Sequence, residues 1–101
     1  MSTEAQRAEI TIERNDEARR YELRLDGDLA GYAQFRTNPQ RITFTHTVVL
    51  PEYGGKGLGS RLAKHVLDDA VERGDTIVPV CPFIGHFLKE HPEYEASVDW
   101  P

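Results

Sequence analysis

The chain has 101 residues, one cysteine, a net charge of −5, 39% hydrophobic and 29% charged residues, which suits one domain spanning 1–101 with one modest core. The acidic balance argues against wholesale binding to nucleic-acid phosphate, and a lone thiol excludes an internal disulfide framework and suits a reducing compartment. No apolar run approaches the ~20 residues of a membrane span, and the opening "MSTEAQRAE" lacks the apolar stretch of a signal peptide, so the cytoplasm is the expected location.

Residues 1–7 are polar and are expected to lie outside the fold. "AEITIER" then alternates, with Ile10 and Ile12 on one face, and "RRYELRL" alternates through Tyr21, Leu23 and Leu25. "DGD" is a turn signal and "LAGYAQFR" a third strand, so this pair reads as a hairpin. "NPQ" makes another turn, and "RITFTHTVVL", rich in β-branched residues, is a fourth strand. The period then changes. Leu58, Leu62, Ala63, Val66, Leu67, Ala70 and Val71 recur at helical spacing, with Arg61, Lys64, Asp68 and Glu72 on the other side and Gly74 at the end. "TIVPVCPF" reads as a fifth strand, short or splayed because Pro79 and Pro82 cannot donate to a ladder. "IGHFLKEH" reads as a short helix ended by Pro92, followed by a tail in which Val98 and Trp100 pack back. The order β-β-β-β-α-β-α predicts an α+β layer fold.

Between the fourth strand and the long helix stands "PEYGGKGLGS", with four glycines in six residues. A tight strand-to-helix connection is one reading. An anion cradle is the other, because N–H groups at a helix start are unpaired and favour negative charge. The nucleotide P-loop pattern fails, since Lys56 precedes Gly57 rather than following it. The dinucleotide fingerprint fails too, since its third glycine would fall on Leu62. Gly57-Leu58-Gly59 does fit the end of the pattern Gln/Arg-x-x-Gly-x-Gly/Ala.

That pattern is the pyrophosphate loop of the GNAT superfamily of N-acetyltransferases. Together with "IVPVCPFIGHFLKEHPEY", the segment "THTVVLPEYGGKGLGSRLAKHVLDDAVERG" resembles the short single-domain N-acetyltransferase-like family within it. The Gln/Arg position falls on Gly54, and the chain lacks the helical hairpin many such enzymes carry after the first strand. The resemblance implies acetyl-CoA as co-substrate and a small-molecule or protein amine as acceptor. It implies that the backbone of Val48, Val49 and Leu50 pairs with the pantetheine arm, and that Gly54, Gly55, Lys56, Gly57, Leu58, Gly59 and Ser60 hold the pyrophosphate. Phe83 and Phe87 would flank the arm or belong to the core.

Acyl transfer needs a base for the amine and an acid for the departing thiolate. Cys81, read on the fifth strand, is a candidate nucleophile or acid, or else a buried hydrophobe. His46 is a candidate base, since imidazole changes charge near neutral pH, or else a core histidine. Unbroken alternation gives it the face of Ile42, Phe44 and Val48. Tyr94 is a packed aromatic or an acid, and His65 a solvated residue. The spacing of Cys81, His86 and His91 is not a standard zinc pattern, and no metal is expected. A module that binds coenzyme A or acyl-CoA without catalysis is the alternative to an enzyme.

Overall fold

A computed structural model describes residues 9–101; the reading of residues 1–7 lies outside them. The alternating segments form an antiparallel meander of β1 (Ile10–Asn15), β2 (Arg20–Leu25), β3 (Asp28–Asn38) and β4 (Arg41–Val49). β5 (Thr76–Pro79) adds parallel to β4, so the sheet runs β1-β2-β3-β4-β5. The crossover between β4 and β5 is α1 (Leu58–Glu72), and α2 (Pro82–Glu90) follows β5. The α+β order is the one read from the periods. β1 reaches β2 through a turn at residues 16–19, with no helical hairpin between them.

α1 buries Leu58, Leu62, Ala63, Val66, Leu67 and Ala70. They share one core with Tyr21, Leu23, Phe35, Ile42 and Phe44 of the sheet. Val71, read as part of the apolar arc, is 43% exposed. It stands in the last turn of the helix, where packing has run out. The tail does return: Val98 bridges Ile77, and the Asp99 N–H donates to the Ile77 carbonyl at 2.8 Å. Trp100 stays 38% exposed, with Lys89 over its ring.

Two bulges interrupt the alternation. In β3, Ala30 has no partner between the pairs Leu23–Gly31 and Arg24–Leu29. In β4, Thr45 has none between Gln34–His46 and Phe35–Phe44. An extra residue reverses which side chains face the core. His46 therefore does not share the face of Ile42 and Phe44, as unbroken alternation required; it is exposed, while Val49 packs against the core. Gly31 beside the first bulge is obligatory, because a Cβ there would stand 2.6 Å from the Val48 carbonyl oxygen.

The fifth strand is shorter than "TIVPVCPF". Pro79 ends it, and Pro82 occupies the start of α2, where a missing N–H leaves no hydrogen bond unmade. Cys81 consequently moves off the strand to the N-cap of α2.

Two buried phenols tie α1 to its neighbours. Tyr21 on β2 donates to Asp69, and Tyr94 donates to Asp68 at 2.6 Å. Burial, and then the bond to Asp69, push the Tyr21 phenol up to about 12. Burial and the bond to Asp68 raise Tyr94 as well. A raised phenol favours the neutral form in the folded state. Its stabilisation is whole below the ordinary value of about 10 and is lost as pH climbs through the folded value. The urea midpoint is expected to hold up to about pH 10 and to fall from there toward about pH 12. Tyr21→Phe should lower stability by about 1 kcal/mol near neutral pH and make that alkaline fall shallower.

Candidate functional site

The site begins where β4 and β5 part. Their pairing covers Arg41 to Phe44 against Thr76 to Pro79. The Cys81 N–H then donates to the Phe44 carbonyl at 2.9 Å, and the chain turns into α2. β4 continues to Val49 with no strand on that side among the described residues. Leu50 donates its N–H the other way, to Ala30 on β3, at 2.8 Å. Strand alternation thus aims the N–H and C=O of Val49, and of Thr47 two residues earlier, into the gap. Of the three residues expected to line it, Val49 does so with its backbone; Leu50 is committed to β3, and Val48 stands opposite Tyr32 in the β3 register.

The glycine loop closes one end of the gap. After a 3-10 turn at Pro51–Tyr53, Gly54 is extended and donates its N–H to Pro51. Gly55 and Gly57 have φ of 78° and 73°, the left-handed region that disfavours a side chain. Gly57 is the N-cap of α1 and offers no side-chain cap. The first intrahelical bond is made by Arg61, back to Gly57, at 3.3 Å. The N–H groups of Leu58, Gly59 and Ser60 are left facing outward at the positive end of the dipole, and no acidic residue sits in the first turn. Lys56 is exposed beside them. Leu58 buries its side chain in the core, so only its backbone faces the site.

Gly59 joins three elements. A Cβ there would lie 3.0 Å from Phe83 Cζ and 3.6 Å from Val49 Cγ2. The start of α1, the end of β4 and the first turn of α2 therefore meet at one mouth. Phe83, at that mouth, is 40% exposed. Phe87 is not there. It is buried, stacked on His91 at 3.9 Å between ring centroids, with Tyr94 beside it. Helical geometry turns it to the C-terminal packing rather than to the gap.

Cys81 is 3% exposed, and its thiol donates to Thr47 Oγ1 at 3.4 Å. His46 projects from the opposite face of β4, so the strand separates the two candidate catalytic side chains. Thr47 is a site residue the sequence reading missed; only the bulge at Thr45 turns it toward Cys81. Cys81, His86 and His91 do not converge, since His86 pairs with Glu90 at 3.3 Å and His91 Nδ1 donates to the Phe87 carbonyl at 2.8 Å. Tyr94 is a packed aromatic whose hydroxyl is taken by Asp68, and His65 is exposed on α1. Among the described residues no helix is long and apolar enough to cross a membrane.

Comparison with known proteins agrees with the fold. Residues 20–98 match the family model of the GCN5-related N-acetyl-transferases. Protein NATD1 of Bos taurus is 32% identical over 82% of this chain and 75% of its own length. Streptothricin acetyltransferase of Streptomyces lavendulae is 45% identical over 51 residues, which span 48% of this chain and 27% of that protein. A GCN5-like protein of Staphylococcus aureus, solved in solution by NMR, superposes with a TM-score of 0.68 at 24% identity, over 90% of this chain and 89% of its own; that likeness is one of fold.

Ala at Gly57 meets open space but a disfavoured backbone, whereas Ala at Gly59 meets Phe83. Gly57→Ala is expected to lower stability by about 1 kcal/mol in a urea titration. Gly59→Ala should shift the ring resonances of Phe83, and Gly57→Ala should leave them in place.

Proposed function

We propose, on the footing that the chain belongs to the GCN5-related N-acetyltransferase family, that it moves an acetyl group from acetyl-CoA to an amine. The observation that carries this reading is the uncapped start of α1 beside the unpaired edge of β4. An anion fits the first, because Leu58, Gly59 and Ser60 aim free N–H groups outward with no acidic residue in the first turn of the helix. An extended amide-bearing chain fits the second, because Val49 needs one donor and one acceptor across the gap. The pyrophosphate and the pantetheine arm of acetyl-CoA supply these two chemistries in one molecule. Lys56 adds charge, and Phe83 covers the mouth with an apolar ring.

The chemistry follows from the two sides of β4. The amine nitrogen attacks the thioester carbonyl carbon, a C–N bond forms, and the C–S bond breaks. His46 takes the proton the amine loses. The Cys81 thiol already donates to Thr47, which suits a proton donor to the departing sulfur better than a nucleophile. A backbone N–H of the gap polarises the carbonyl as charge builds on its oxygen. The rival reading, a module that holds coenzyme A without catalysis, is motivated by the separation of Cys81 and His46. It requires binding with no turnover on any amine.

Steady-state acetylation separates the two. Cys81→Ala and His46→Ala are each expected to lower kcat by about a hundredfold, the usual range for an acid or base. Neither should change the affinity for acetyl-CoA measured by calorimetry. Variants as fast as the parent would remove the assigned roles.

A further inference from the structure

On the sheet face away from α1 lies a pocket of about 440 Å³ lined by Arg19, Arg36, Thr37, Asn38, Thr43 and Val80. We infer that this pocket takes a carboxylate of the acceptor, so that the amine acetylated here is one that carries a negative group. The inference rests on the acetyl-transfer reading and adds the substrate class to it.

Charge is the first argument. The chain is acidic overall, with a net charge of −5. Five of its eight described arginines hold a carboxylate: Arg14 takes Asp16, Arg20 and Arg24 share Glu22, Arg41 takes Asp99, and Arg73 takes Asp69, while Arg61, without one, stands on α1 away from this face. Arg19 and Arg36 have no carboxylate partner among the described residues, and no carboxylate lines their pocket. The remaining polar lining, the Asn38 amide and the Thr37 and Thr43 hydroxyls, can donate hydrogen bonds. Two guanidiniums and three further donors around one concavity suit a planar anion such as a carboxylate.

Position is the second argument. Thr43 precedes Phe44, whose carbonyl holds the Cys81 amide, and Val80 precedes Cys81. The pocket therefore starts at the last rung of the β4–β5 pairing, where the gap opens. Arg36 stands opposite Thr43, and Gln34, on the same face of β3, stands opposite His46. The bulge at Thr45 puts His46 on this same face. The anion pocket, the candidate base and the end of the gap thus lie along one side of β4. Arg19 is fixed beside them, with its carbonyl accepting the Phe35 N–H at 2.9 Å.

The test compares free amino acids with their carboxamides as acceptors at saturating acetyl-CoA, at equal concentrations of free amine. The parent is expected to favour the carboxylates by roughly tenfold or more in kcat/KM. Arg36→Gln should bring that ratio toward one, and Arg36→Lys, which keeps the charge but not the planar fork, should retain part of it. In parallel, the Arg36 Nε–H resonance is followed while the same amino acids are added to the protein saturated with coenzyme A. Equal use of acids and amides, with a ratio that Arg36→Gln does not change, overturns the inference and leaves the transferase reading standing. No turnover with any acceptor, but amino-acid binding that shifts Arg36 in the parent and whose heat in a parallel calorimetric titration is lost in Arg36→Gln, keeps the anion pocket and overturns the transferase reading. No turnover and no shift overturns the inference.

Discussion

The hydrogen bonding of β4 governs the rest of the molecule. On one side β3 serves it along its length; on the other β5 serves it only as far as Phe44. An unpaired strand edge next to a core is unfavourable unless water or a ligand answers it. Pro79 ends β5 and Pro82 begins α2, so the chain leaves the sheet at the rung where the gap starts. The crossover returns α1 with its uncapped start against the far end of the same edge. Gly59 allows that contact, because a Cβ would crowd Phe83 and Val49.

The bulge at Thr45 sets which face each candidate side chain takes. Without it, His46 would face the core and Thr47 the open side of the sheet. With it, Thr47 meets the Cys81 thiol and His46 stands in solvent on the opposite face. In the proposed acyl transfer the amine adds to one face of the planar carbonyl and the sulfur leaves from the tetrahedral carbon that results, so the two proton transfers occur at different atoms. The proposed base on one face of β4 and the thiol on the other would serve those two atoms separately. One inserted residue is enough to produce that arrangement.

The fold was legible because its signals are periodic. Alternation through Ile10, Ile12, Tyr21, Leu23 and Leu25, and helical spacing from Leu58 to Ala70, each depend on neighbours along the chain. The glycine loop was legible for a similar reason, since Gly55 and Gly57 stand where φ is positive. What the sequence did not disclose depends on register. Nothing in "RITFTHTVV" marks Thr45 as the unpaired residue, so the faces of His46 and Thr47 were reversed. The end of β5 was misread because Pro79 and Pro82 carry the same signal as breakers whether they splay a strand or start a helix. Phe87 was left open between the gap and the core because helical spacing alone does not say which side His91 and Tyr94 will cover; it belongs to the core. The lining of the open-face pocket draws on β3, β4 and two turns, and no local pattern joins them.

The most direct measurement is amide hydrogen exchange, residue by residue, with and without acetyl-CoA. The account predicts that the amides of Val49, Leu58, Gly59 and Ser60 gain protection together, while Leu50, already bonded to Ala30, changes little. Protection confined to other parts of the sheet, with Val49 and the start of α1 exchanging as before, would contradict it.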